Sequence, residues 1–99
     1  MFEEWFESKH YPGSKVKLRP LTARRRYTLE AHGYKDGDVA YDTFTWAVLD
    51  WVNAPLDEGG TAEKFDPTLI DDLATRFVME VVLHAYTRQS VLSEDERKN

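Results

Sequence analysis

The longest helical pattern in this chain is DPTLIDDLATRFVMEVVLHAYTRQ, residues Asp66–Gln89. Asp66 followed by Pro67 is a favourable helix start, because aspartate caps the first N–H groups and proline suits the first helical position. Apolar residues at helical spacing form its main face: Ile70, Leu73, Ala74, Phe77, Val78, Val81 and Ala85. A second apolar face carries Met79, Val82, Leu83 and Tyr86. A helix that is apolar nearly all round is buried, either at the centre of the domain or in a subunit contact.

A narrow polar seam remains on this helix, with side chains spaced four residues apart: Asp72, Arg76, Glu80 and His84. Pairs at this spacing contribute about 0.2–0.5 kcal/mol each. We interpret the seam as the solvated edge of a buried helix.

A second helix is predicted from Asp36 or Asp38 to about Val52. Its apolar face has helical spacing and consists of Ala40, Phe44, Ala47, Val48 and Trp51. Trp46 lies roughly opposite that face, at 100° per residue. It is therefore either capped by another element or kept for an interface, where tryptophan is enriched.

A third helix is predicted to start at the N-cap Thr22 and to end near His32, before Gly33. Three arginines fall in or near its first turn: Arg24, Arg25 and Arg26. Positive charge there opposes the helix dipole by about 0.3–1 kcal/mol per charge. The arginines therefore need carboxylates from another element, or a bound partner.

The segment Lys15–Arg19 alternates polar and apolar residues and predicts a short strand, which Pro20 ends. Such a strand needs a hydrogen-bonding partner, either the N-terminal stretch or a strand from another molecule. The aromatic N-terminus itself has a one-turn helical spacing of Phe2, Trp5 and Phe6.

These patterns predict a mainly α fold, a small helical domain of about three main helices with a short N-terminal β-strand or hairpin. Ninety-nine residues fit a single domain. We expect an aromatic segment at 1–13, a helical core at 14–92 with a loop at 53–66, and a frayed tail at 93–99.

Charge is strongly segregated along the chain. Residues Ser8 to Leu29 include seven Lys or Arg and no Asp or Glu, whereas the remainder has eighteen carboxylates and six basic residues. The basic segment either docks on the acidic helices of its own molecule or attracts an acidic partner, including a second copy placed head to tail.

Composition argues against several classes of protein. The chain has no cysteine, so disulfides, thiolate metal sites and a cysteine nucleophile are excluded. The acidic N-terminus does not resemble a signal peptide, and no apolar run approaches the ~20 residues of a membrane span. The three histidines stand apart in sequence, and no phosphate loop or serine elbow occurs. We therefore expect a soluble protein without metal, cofactor or enzymatic activity.

The run VKLRPLTARR at 16–25 resembles the small tail assembly chaperones of long-tailed bacteriophages and prophages. The likeness extends from about Ser14 to the end of the chain. It includes WVN at 51–53, the acidic DEGG at 57–60, FDP at 65–67 and the polar LSEDE at 92–96. The aromatic N-terminus lies outside the resemblance.

The resemblance implies a non-enzymatic, oligomeric chaperone that binds and solubilises the helical tape measure protein, with the tail tube protein as a further candidate partner. It would act in the host cytoplasm and be absent from the mature virion. The candidate partner contacts are Phe2, Trp5, Phe6, Arg24, Arg25, Arg26, Trp46, Met79, Val82, Leu83 and Tyr86. The alternative function is a small DNA-binding regulatory module that uses the basic segment 8–29.

Overall fold

A computed structural model describes residues 3–33 and 35–98, and it describes side chains as far as Arg88. Its elements follow in the order β1 (Glu4–Glu7), β2 (Lys15–Leu18), α1 (Ala23–His32), α2 (Gly37–Ala47), β3 (Val48–Pro55), β4 (Thr61–Lys64), a 3-10 helix (Pro67–Asp72) and α3 (Thr75–Lys98). The predicted frayed tail and the residue Phe2 fall outside the described side chains.

The four strands form one antiparallel sheet in the order β1-β2-β3-β4. One face of the sheet is buried under the helices, where Val16 and Leu18 of β2 and Trp51 of β3 are almost inaccessible to solvent. The core continues into α2 through Phe44 and into α3 through Phe77. The prediction of a mainly α fold is therefore wrong, because the chain is a two-layer α/β domain.

The second predicted helix ends earlier than expected. Helix α2 stops at Ala47, and the chain continues directly into β3 at Val48. Val48 and Trp51 satisfy helical spacing from Phe44, but they are equally buried as strand residues. Valine and tryptophan favour strands, and β3 supplies the ladder partner that β2 requires.

The predicted loop at 53–66 is largely a β-hairpin. Strand β3 extends to Pro55, and β4 returns antiparallel to it. Gly59 and Gly60 have φ values of 106° and 80°, so the tight turn uses backbone conformations that glycine adopts without strain. The Leu56 N–H donates to the Gly60 carbonyl oxygen at 3.0 Å and closes the turn.

The helical pattern at 66–89 is interrupted. Asp66 is the expected N-cap, and hydrogen bonds from the hydroxyl and N–H of Thr68 hold the pKa of its carboxyl below the usual value. The helix that follows is a 3-10 helix that stops at Asp72. The Ala74 N–H donates to the Pro55 carbonyl oxygen at 2.9 Å, which holds the chain extended before α3 begins at Thr75.

The N-terminal aromatic segment is a strand rather than a helical turn. Trp5 pairs with Lys17 and Phe6 pairs with Val16 across the β1–β2 ladder. The predicted strand β2 thus has two partners in the same molecule: β3, and the N-terminal stretch that was the first of the two predicted alternatives. The first helix agrees with its prediction: α1 starts after the N-cap Thr22 and ends before Gly33.

Candidate functional site

The polar seam of α3 holds the N-terminal hairpin in place. Glu80 accepts hydrogen bonds from the Ser8 hydroxyl at 2.6 Å and from the Lys9 N–H at 2.7 Å. Glu4 contacts the Nε2 of His84 at 2.9 Å and the Nε of Arg88 at 2.6 Å. The seam is therefore the docking surface for β1 and not a solvated edge, as far as Glu80 and His84 are concerned.

This docking decides which way the N-terminal aromatic side chains point. The Phe6 ring stacks on the His84 ring, with centroids 4.1 Å apart and an interplanar angle of 18°. Successive side chains of a strand point to opposite faces of the sheet, so Trp5 points away from α3. Its side chain is 49% exposed, whereas Phe6 is half-buried.

Trp5 lies on what we call the open sheet face, which is defined by the outward residues Trp5, Glu7, Lys15, Lys17, Asp50, Val52 and Lys64. Val52 is 40% exposed and pairs with Lys15 on one side and Lys64 on the other. Lys17 lies between Trp5 and Asp50 in the ladder and forms an ion pair with Glu3 at 3.2 Å. The face thus combines two exposed apolar side chains with lysines.

Sequence reasoning identified Trp5 but missed Val52 and the lysines of this face. The sequence pattern predicts Val52 at the end of a helix, and a helix gives no information about neighbours on adjacent strands. The alternation at Lys15–Arg19 did indicate that Lys15 and Lys17 face away from the core. From this alternation alone, a solvent-exposed face of the sheet could have been predicted.

Trp46 is capped by arginines from two other elements. The Cζ atoms of Arg19 and Arg25 lie 3.8 Å and 4.7 Å from its ring centroid, in cation–π geometry. The Nε of Arg19 also donates to the Trp46 carbonyl oxygen at 2.8 Å. Trp46 therefore joins α1 and the residue that follows β2 to α2, and only part of its ring reaches solvent.

The arginine triplet is divided among different environments. Arg25 forms an ion pair with Asp42 of α2 at 3.2 Å. Asp42 is thus a carboxylate from another element, as predicted for the arginines at the start of α1. Arg26 is half-buried, whereas Arg24 is exposed. A cleft of about 510 Å³ between α1 and α2 is lined in part by Arg24, Arg25 and Asp42.

The second apolar face of α3 is only partly available to a partner. Val82 is 1% exposed and belongs to the core, and Met79 packs against the core. The Tyr86 hydroxyl donates to Glu30 at 3.0 Å, and this hydrogen bond raises the pKa of Tyr86. Leu83 is 39% exposed and is the member of this face most accessible to a partner.

The acidic and histidine side chains that the structure describes form no metal-binding cluster. No three His, Asp or Glu side chains among residues 3–33 and 35–88 are placed to share a metal ion. His84 contacts the carboxylate of Glu4 and stacks on the ring of Phe6. In the described part of the chain, no helix is both long and apolar enough to span a membrane.

Comparison with known proteins yields no relative. No protein-family model matches the chain, and no curated protein and no solved structure matches it either. The candidate site therefore has to be interpreted from its own residues.

Proposed function

We propose that this chain is a non-enzymatic bacteriophage tail assembly chaperone that binds and solubilises the tape measure protein. The observation that supports a binding role most directly is Trp5, half exposed on a sheet face that no described helix covers. Exposed aromatic side chains of this kind are typical of protein interaction sites. The sequence resemblance supplies the identity of the client and the setting, which is the host cytoplasm before the virion is complete.

The open sheet face suits a helical client with apolar and acidic side chains. Trp5 and Val52 would contact the apolar stripe of the client helix. Lys15 and Lys64 would face carboxylates at its sides, while their aliphatic stems extend the apolar contact. Asp50 and Glu7 place two negative charges on the same face, so a uniformly acidic client would be disfavoured.

Co-expression with the tape measure protein of the same phage tests this function. We expect the tape measure protein to be insoluble alone, and soluble and co-purifying when this chain is present. A client that stays insoluble and does not co-purify would overturn the chaperone proposal.

The variant Trp5→Ser tests the proposed binding face. We expect it to reduce capture of the client by more than about tenfold, because an aromatic anchor of an interface is worth about 2 kcal/mol or more. The matched control is Leu83→Ser, which removes an apolar side chain of similar exposure from α3. If Leu83→Ser abolishes capture and Trp5→Ser does not, the client binds α3 and the open sheet face is not the site.

Duplex DNA binding is the second candidate function, favoured by the exposed Arg24 on α1. It has weaker support, because Arg25 is already engaged by Asp42 and Trp46 and the protein is acidic overall. Binding to a duplex that weakens steeply with salt and is lost in Arg24→Glu would favour it.

A further inference from the structure

Helix α1 has an outer face that nothing in the described molecule covers. Of its ten residues only Leu29 is buried, and Tyr27 is 71% exposed. The inner side of α1 is held by Leu29, by the contacts of Arg25 with Asp42 and Trp46, and by the hydrogen bond of Glu30 with Tyr86. Tyr27 gives this uncovered face an aromatic side chain of the kind that is enriched at protein interfaces.

The outer face has a specific composition. At 100° per residue, Tyr27, Ala31 and Arg24 lie opposite Leu29 on the helix. The face therefore presents one aromatic ring, one small apolar side chain and one guanidinium group. Arg24 has no ion-pair partner among the described residues, and arginine at this end of a helix is unfavourable unless a carboxylate approaches it.

A second surface of the same molecule has the complementary composition. The β3–β4 turn and the 3-10 helix form a cleft of about 340 Å³, lined by Leu56, Asp57, Glu58, Gly59, Leu69, Asp71 and Asp72. The two leucines are half-buried, and the four carboxylates are exposed without an ion pair among the described residues. We call this the acidic cleft; its apolar part can accept an aromatic ring and its rim an arginine.

From this complementarity we infer that the outer face of α1 docks in the acidic cleft of a second copy of the chain. No hydrogen bond or ion pair of the described residues joins the two surfaces within one molecule, so each is available to a neighbour. Tyr27 packs on Leu56 and Leu69 of the neighbour, and Arg24 pairs with the carboxylates of Asp57 and Asp71. Self-association of this kind does not depend on the identity of any client.

The two docking surfaces are different, so the contact is heterologous. A heterologous contact does not stop at a two-fold dimer. After each copy is added, one α1 outer face and one acidic cleft of the assembly remain unoccupied and can bind a further copy. The assembly is therefore a ring if the rotation between copies closes, and a filament if it does not. The charged side chains at the contact make the assembly weaker at high ionic strength.

A complementation experiment tests this contact. One variant, Arg24→Glu with Tyr27→Ser, loses the α1 face and keeps the cleft. The other, Asp57→Lys with Asp71→Lys, loses the cleft and keeps the α1 face. Sedimentation should show wild-type assemblies at ~0.05 M salt that dissociate at ~0.5 M. Each variant alone should be monomeric, with self-association weakened at least about tenfold.

The mixture of the two variants gives the decisive result. It contains one intact α1 face and one intact cleft per pair, so it should form a heterodimer and nothing larger. Glu63→Lys, an exposed change on β4 outside the cleft, should assemble as the wild type does. Circular dichroism verifies that all variants are folded. A monomeric wild type at low salt, or a mixture that stays monomeric, would overturn the inference.

Discussion

Replacing Trp51 with alanine is expected to lower the free energy of unfolding by about 3–5 kcal/mol, the usual cost of removing a buried aromatic side chain. Trp51 is 1% exposed and lies in the central strand β3. Its indole Nε1 donates to the Lys64 carbonyl oxygen at 2.9 Å, and its ring contacts Phe65 edge-on at 4.9 Å. The substitution opens a cavity and leaves a carbonyl group of β4 without its partner.

Urea denaturation followed by circular dichroism measures this loss directly. A domain of this size has about 5–15 kcal/mol of stability, so we expect Trp51→Ala to lose a large fraction of it and to unfold at lower urea concentration than the wild type. Trp5→Ala is the matched control, because the same side chain is removed from the open sheet face. If both variants lose the same stability, β3 is not the centre of the core and the assignment of the two sheet faces is incorrect.

Replacing Glu80 with alanine is expected to cost about 2–3 kcal/mol and to release β1 from α3. Hydrogen bonds to a charged group contribute about 1.5–3 kcal/mol, and Glu80 accepts two of them. The Ser8 side chain is 3% exposed, so its hydroxyl loses a partner that water replaces poorly. Amide hydrogen exchange should accelerate in β1 (Glu4–Glu7) more than in β3.

The control for this experiment is Glu58→Ala in the β3–β4 turn, which removes an exposed carboxylate without a described hydrogen bond and should change stability by less than about 0.5 kcal/mol. Glu80→Gln keeps an acceptor oxygen and should retain part of the protection of β1. Unchanged exchange in β1 after Glu80→Ala would show that the Glu4 contacts alone hold the hairpin.

The helix α1, the N-cap Asp66 and the strand β2 could be predicted because each depends on local chemistry. A threonine or aspartate cap, a glycine stop and a clean alternation all act within a few residues. The boundary between α2 and β3 could not be predicted in this way. Phe44, Val48 and Trp51 have helical spacing, and only the sheet formed with β2 and β4 shows that Val48 is the first residue of a strand.

The candidate site was less accessible to sequence reasoning than the fold. Trp5 and Phe6 stand together in sequence, and a three- or four-residue spacing from Phe2 suggested one shared face. Strand pairing instead sends Phe6 to His84 and Trp5 to the open sheet face. Trp46 was recognised as lying off the core face, but the two arginines that cover it come from 27 and 21 residues earlier in the chain.

The contact between Ser8 and Glu80 also has a consequence for folding during synthesis. The two residues are 72 positions apart, so the ribosome needs roughly 4–14 s after making Ser8 before Glu80 exists. Over that time the hairpin β1–β2 lacks its anchor on α3, and for more than the first half of it the neighbouring strand β3 (Val48–Pro55) has not been made either. The domain therefore folds as one late, cooperative unit, and its first-made strands are among the last to become fixed.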